Sequence, residues 1–220
     1  MLFRSNDRFW NPGGNPDLKN EYAYSYEIGY KLDYQITWSV KLGSELNYFN
    51  NHIRDMIQWR PGESSFWVAD NIVSVNSSGL EYSLSVKYLN NNLSVNMYAG
   101  YSYTRAIDKN RGSSETIGKQ LIYIPENQAN CSLHIAYKNI YAICVTNLTC
   151  RSYTTPYNSS FLNAYSVNSF TSGLKFNIKE NVVDFRFKIE NIFNADYKII
   201  AYYPQPGRTY FLTLSFHLKK

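Results

Sequence analysis

No stretch of this sequence approaches the roughly 18 consecutive apolar residues that a membrane-spanning helix needs. Helical periodicity is also nearly absent, because apolar residues seldom recur at three- and four-residue spacing. Charge is scarce. Asp, Glu, Lys and Arg make up 18% of the residues, against about 25% in an average domain. The net charge of +5 comes with no Lys/Arg run and no basic helix, so nucleic acid is not an expected partner. The cysteines are Cys131, Cys144 and Cys150, with no CxxC pair and no nearby His cluster, which points away from a metal or cofactor site. On one strand Cys144 and Cys150 would stand about 20 Å apart, beyond disulfide reach, and all three read as small hydrophobes. An enzyme is not expected. His52 and Asp55 are offset by three and fall on opposite strand faces, and His134 and His217 have no evident partner. Residues Met1-Leu2-Phe3-Arg4-Ser5-Asn6-Asp7-Arg8 contain no apolar signal core.

What is abundant is aromatic: 17% of the chain, including 21 Tyr and 4 Trp. Their apolar bodies and polar tips suit a membrane–water interface, and equally an aromatic-rich soluble sandwich. Period-two alternation is nearly everywhere. In Val183-Asp184-Phe185-Arg186-Phe187-Lys188-Ile189-Glu190 one face is Val, Phe, Phe, Ile and the other Asp, Arg, Lys, Glu. Tyr26–Leu32, Leu80–Tyr88 and Tyr210–Leu218 repeat the pattern. Nine strands are expected, over Glu21–Leu32, Thr37–Trp59, Trp67–Leu89, Leu93–Ile107, Leu121–Lys138, Ile140–Tyr153, Asn163–Lys179, Val182–Tyr202 and Thr209–Lys219, with a further one over Phe3–Trp10 possible. Their connections alternate. Tight turns fall at Asp33–Gln35, Asn90–Asn92, Lys138-Asn139 and Glu180-Asn181, and longer polar loops at Arg60–Phe66, Asp108–Gln120, Thr154–Leu162 and Tyr203–Arg208. A soluble sandwich has no reason to gather every long loop at one end. A transmembrane β-barrel does, with tight periplasmic turns and longer external loops. The expected fold is therefore all-β, an antiparallel transmembrane barrel segment.

Three motifs resemble one family. Gly14-Asn15-Pro16-Asp17-Leu18-Lys19-Asn20-Glu21, followed by Tyr26-Glu27-Ile28-Gly29-Tyr30, resembles the "NPxLKPE … yElG" segment of TonB-dependent outer-membrane receptors, with Asn20 where the family usually has Pro. Gly118–Asn127 looks like the barrel segment in which a polar loop re-enters the wall. Ile189-Glu190-Asn191-Ile192-Phe193-Asn194-Ala195-Asp196-Tyr197, then Pro204-Gln205-Pro206-Gly207-Arg208-Thr209-Tyr210, is similar to the family's C-terminal "NLF … PGR" box. The order of the motifs leans toward the cobalamin and siderophore receptors.

The resemblance implies a barrel of about 22 strands with a plugged lumen, of which residues 1–220 would supply about nine or ten strands, the plug and signal peptide lying upstream. It implies uptake of a large scarce nutrient, energised by the TonB complex through the plug, with barrel-assembly machinery and membrane lipid as further partners. Arg4, Arg8, Arg60, Lys109, Arg111, Lys119, Arg151 and Arg208 gather at the long-loop end, where lipopolysaccharide contact and ordinary solvated charge both account for them. Candidate ligand-loop residues are Arg60, Trp67, Arg111, Tyr153, Tyr203 and Arg208. Asp184, Arg186, Lys188 and Glu190 are expected to face the lumen. Trp59, Trp67, Tyr101, Tyr103, Tyr153, Tyr202 and Tyr203 are expected to form an aromatic girdle. A small porin-like barrel or outer-membrane structural protein is the competing reading.

Overall fold

A computed structural model describes residues 15–61, 67–109 and 115–217, and the side chains of residues 60, 61, 72 and 73 are left out of the description. The possible strand over Phe3–Trp10 and the tip of the loop at Arg111 lie outside the described residues. The strands, in chain order, are β1 (Tyr22–Thr37), β2 (Val40–Pro61), β3 (Trp67–Asn90), β4 (Leu93–Asp108), β5 (Asn127–Tyr137), β6 (Ile140–Thr149), β7 (Ser152–Tyr153), β8 (Phe161–Leu162), β9 (Tyr165–Ile178), β10 (Asn181–Glu190), β11 (Lys198–Ile200), β12 (Tyr203–Pro204) and β13 (Thr209–His217). Nine of them form one antiparallel sheet in the order β1-β2-β3-β4-β5-β6-β9-β10-β13, so each long strand pairs with its neighbour in the chain. The pairs β7–β8 and β11–β12 are small ribbons within two of the long connections.

Side-chain phase is kept across the sheet except for one irregularity between Gln35 and Thr37, beside the β1–β2 turn. Following the pairing register, Tyr30 stands opposite Leu46, Leu46 opposite Tyr82, Tyr82 opposite Tyr101 and Tyr101 opposite Ala129. Further along, Leu174 stands opposite Phe185 and Phe185 opposite Leu214. Each of these residues shares one face, and that face is mostly apolar on the nine strands, interrupted by Ser44, Ser172 and the hydrogen-bonded pair Thr146–Asn168. The opposite face carries Glu27, Lys31, Glu45, Asn47, Glu81, Ser83, Asn130, Asp184, Arg186 and Lys188. The apolar face is not a buried core. Tyr26 is 71% exposed, Ile28 72% and Leu212 69%, whereas six apolar side chains are buried among the described residues. Water does not tolerate a continuous apolar surface of this extent; lipid does. On β3 the apolar run from Leu80 to Tyr88 covers about 26 Å along the strand at roughly 3.3 Å per residue, close to the height of a barrel's apolar band once tilt is allowed for. Beyond it the same face turns polar, with Asn50, His52 and Arg54 on β2, Ser74, Asn76 and Ser78 on β3 and Arg105 on β4.

The connections alternate as the sequence predicts. Two-residue turns join β1–β2, β3–β4, β5–β6 and β9–β10, and every long connection lies at the other end. In three of the turns the first residue takes the left-handed conformation that tight hairpins require, Asn91 at φ 25°, Lys138 at 52° and Lys179 at 57°.

Several boundaries differ from expectation. The expected turn at Asp33–Gln35 is strand, and the chain reverses at Trp38-Ser39, because the alternation from Tyr30 to Ile36 never breaks phase. The fifth strand starts at Asn127 rather than Leu121, since Leu121 and Ile122 turn inward and become buried. The sixth ends at Thr149 rather than Tyr153. The run from Val182 to Tyr202 stops at Glu190, where Asn191 and Asn194 adopt φ of 49° and 54° and turn the chain.

Among the described residues β1 pairs only with β2 and β13 only with β10, so the sheet is open. Nine antiparallel strands leave β1 and β13 running the same way. An all-antiparallel ring therefore closes onto this sheet only through an odd number of further strands.

Phe187 and Lys188 are adjacent on β10 and take opposite faces, Phe187 across from Leu212 and Lys188 across from Phe211. Phe187→Arg places a charge in the middle of the apolar band and is expected to cost about 2–4 kcal/mol. Lys188→Gln loses a half-exposed pair with Glu190 and is expected to cost well under about 1 kcal/mol. Reversible unfolding of the refolded full-length protein in lipid vesicles measures both; equal costs would contradict the two-faced wall.

Candidate functional site

The polar face of β10 is the most charged part of the sheet. Asp184, Arg186, Lys188 and Glu190 follow from its period-two alternation and form two pairs along the strand. Arg186 Nη2 donates to Asp184 Oδ2 at 2.8 Å, and Lys188 Nζ pairs with Glu190 Oε1. Tyr141 of β6 joins them from two strands away. Its hydroxyl donates to Asp184 Oδ1 at 2.9 Å and accepts from Arg186 Nε at 2.9 Å. The phenol reaches across β9 because Gly173 leaves the space: a Cβ there would lie 2.3 Å from the Tyr141 ring. Lys175 Nζ stands 5.2 Å from the centre of the same ring. Asp184, only 4% exposed, thus has both carboxylate oxygens engaged, as a buried carboxylate requires. Sequence reasoning found the four charges but not Tyr141. The mid-strand glycine was the available signal, since glycine inside a strand often marks a close approach.

The second concentration of side chains is at the long-connection end. Tyr123, at φ 57°, donates its backbone N–H to the Tyr153 carbonyl at 2.7 Å and sets its ring 5.8 Å from that of Trp67. Burial pushes the Tyr123 phenol above its ordinary range, while a hydrogen bond to the Ala201 backbone pulls the other way. Tyr123 therefore connects three long loops. It gathers the candidate residues Trp67 and Tyr153, though it was not itself picked out from the sequence. Tyr203 lies in the β11–β12 ribbon. Arg208 is exposed, and its backbone N–H is held by Asn194 Oδ1 at 2.9 Å. Asn191, 3% exposed, brackets the same turn: its Oδ1 accepts from Ala195 N at 2.8 Å and its Nδ2 donates to the Ala195 and Pro206 carbonyls at 2.9 and 3.3 Å. The asparagines of the C-terminal motif thus serve the backbone. The Arg60 side chain and the whole of Arg111 lie outside the described residues.

Gln120 is the residue on which this rim is built. β4 runs on past the start of β5, and Gln120 fills the exposed edge. Its Oε1 accepts from Ala106 N at 3.0 Å, and its Nε2 donates to the Thr104 and Ile124 carbonyls at 3.3 and 3.2 Å. Its backbone is clasped from the next loop, because Asn158 accepts from Gln120 N at 3.0 Å and donates to Gln120 O at 2.9 Å. Leu121 then packs with Val75 and Ala106, flanked by Ile53, Met56 and Ile124, in a small hydrophobic cluster. On the other side the "NPDLKNE" stretch is fastened to β3. Asn71 accepts from Lys19 N at 2.8 Å and donates to Lys19 O at 3.1 Å, and Asn15 Nδ2 donates to Ala69 O at 3.1 Å. Gln120→Leu would leave a buried N–H and two carbonyls without partners, at about 1–3 kcal/mol for each group that water does not reach. Limited proteolysis of the full-length variant is expected to show new cleavage within residues 115–126 while the membrane-embedded band stays protected. Unchanged protection of that segment would contradict the assignment.

Comparison with known proteins matches this geometry. Residues 2–192 match the family described as TonB dependent receptor-like, beta-barrel. The vitamin B12 transporter BtuB of Photobacterium profundum is 24% identical over 216 residues, 96% of this chain and 32% of the relative. The ferric preacinetobactin receptor BauA of Acinetobacter baumannii superposes with a TM-score of 0.66 at 15% identity, covering 88% of this chain and 29% of that one. The copper transporter OprC superposes with a TM-score of 0.65 at 17% identity, covering 90% and 31%. The chain thus spans about a third of the length of these relatives. The family is one of receptors and transporters whose barrels lie in the outer membrane of Gram-negative bacteria. The open sheet, its two faces and the sequence match lead to one conclusion: the chain belongs to the TonB-dependent receptor β-barrel family.

Proposed function

We propose that this chain forms part of the wall of an outer-membrane receptor that takes up a large scarce nutrient, an iron chelate, cobalamin or a similar compound, with energy delivered by the TonB complex through the plug of the whole receptor. The observation that carries this reading is the combination of a mostly apolar face on nine strands with long, mutually bonded loops at one end only. The long-loop end is then external, and Trp67, Tyr123 and Tyr153 lie where a nutrient arrives. The polar face, with Asp184, Arg186, Lys188 and Glu190, lines the lumen beside the plug. Basic residues at the external end, Lys119 and Arg208 among them, meet lipopolysaccharide phosphates. Relatives named for vitamin B12, a ferric chelate and copper support a metal-bearing cargo without choosing among them.

In this reading β13, with Tyr210, Leu212, Leu214 and Phe216 on the apolar face, is a strand that the barrel-assembly machinery engages. Two outcomes test the proposal. Cells lacking the gene are expected to lose protonophore-sensitive accumulation of one nutrient from a panel of labelled iron chelates and cobalamin. A full-length protein without Phe211–Lys220 is expected to be absent from the outer membrane. Normal accumulation of every compound in the panel would defeat the uptake reading, and normal surface display of the truncated protein would defeat the assembly reading.

A further inference from the structure

The sheet's regular ladder is interrupted at the external rim between residues 120–126 and the β7–β8 ribbon, and a half-open hollow of about 450 Å³ occupies the interruption. Arg151 lines it. The guanidinium carbon lies 5.7 Å from the centre of the Tyr153 ring and 5.7 Å from that of Phe161. Among the described residues no carboxylate comes within ion-pair distance of Arg151, although Glu126 lines the same hollow. Asn127 and Asn163 add amide groups to the lining. The scaffold is fixed from both sides, by the bond from Tyr123 N to the Tyr153 carbonyl at 2.7 Å and by the double bond between Gln120 and Asn158.

We propose that this hollow is a binding site for an oxyanion carried on a hydroxylated ring, such as a sugar phosphate. A guanidinium presents a planar fork of donors that matches a phosphate or carboxylate, and it is less strongly hydrated than an ammonium group. Tyr153 and Phe161 hold the fork in place through cation–π contact and leave apolar faces against which a ring packs. Glu126, Asn127 and Asn163 match the hydroxyls, the carboxylate as acceptor, Asn163 as both donor and acceptor, and Asn127 as donor, since its Oδ1 already accepts from the Tyr101 hydroxyl at 2.6 Å. The volume accommodates a single sugar with its phosphate. Because the wall already fixes Tyr153 and the loop carrying Asn158, binding immobilises little beyond the Arg151 side chain. The chemistry has two sources at an outer-membrane rim, the phosphorylated headgroup of an outer-leaflet glycolipid or a soluble sugar phosphate. The site rests on its own geometry and not on the transport reading, since its readout is binding.

The experiment uses the full-length protein in detergent, as wild type, R151Q, R151K and F161A, with heat-modifiable mobility confirming that each is folded. Glucose 1-phosphate and glucose are titrated calorimetrically, and lipopolysaccharide retained through purification is measured as bound phosphorus. Binding of glucose 1-phosphate at least tenfold tighter than glucose, reduced tenfold or more in R151Q and F161A and partly kept in R151K, establishes the site for a soluble ligand. A fall in retained lipopolysaccharide in R151Q and F161A, without measurable glucose 1-phosphate binding, establishes it for the glycolipid headgroup. Wild-type behaviour of R151Q and F161A in both assays overturns the proposal. Should R151Q fail to fold, F161A decides by the same two readouts, because it removes the ring wall and leaves the charge in place.

Discussion

The constraint behind this structure is that a polypeptide in lipid must satisfy its backbone hydrogen bonds within itself, since no water is present to take them. β-strands meet it only through neighbours on both sides, which forces one continuous ladder and one continuous side-chain phase. A slip of one residue on any strand would turn that strand's apolar set inward and its charges outward. Across the nine-stranded sheet, from β1 to β13, the one shift in register lies between Gln35 and Thr37, beside the first short turn. Tyr30, Leu46, Tyr82, Tyr101 and Ala129 lie along one line around the wall, and Leu174, Phe185 and Leu214 continue the same face. Packing in the ordinary sense contributes little, and the buried cluster around Val75, Ala106 and Leu121 belongs to the rim rather than to the membrane band.

Where the ladder breaks, the molecule becomes irregular, and the candidate site is found there. β4 outruns β5 and leaves an edge, which the backbone of residues 118–121 and the Gln120 side chain cap together. Asn158, Asn191 and Asn194 do similar work at the other long connections, as Asn71 does for the segment before β1. Each supplies hydrogen-bonding groups to backbone that no strand reaches. A rim held this way presents the Trp67, Tyr123 and Tyr153 cluster and the Arg151 hollow on a firm base, while the band below stays uniform.

This division explains what was legible in the sequence. The band was readable because alternation is a local property: Val183–Glu190 declares both its faces without reference to any partner, and the alternation of short and long connections shows which ends share a side. The extent of β1 was misjudged because Asp33 and Gln35 resemble turn residues, although both simply occupy the polar face. The rim was less readable, because its contacts join residues far apart in the chain. At the rim Gln120 meets Asn158, just as at the short-turn end Tyr141 meets Asp184, and neither Gln120 nor Tyr141 looks unusual beside its own neighbours. The C-terminal motif lies between these cases: its order was recognisable as a family pattern, and its physical role, asparagines folding a turn back onto itself, appears only in the hydrogen bonds.

The central claim is that the apolar face of the sheet meets lipid and the polar face does not. Single-cysteine variants of the full-length protein at positions 184 to 189, exposed in vesicles to a thiol probe dissolved in the lipid, test it directly. Native Cys131, Cys144 and Cys150 are replaced first, because all three are exposed. The account predicts labelling at 185, 187 and 189 and none at 184, 186 and 188. Equal labelling at all six positions, or labelling in the opposite phase, would contradict it.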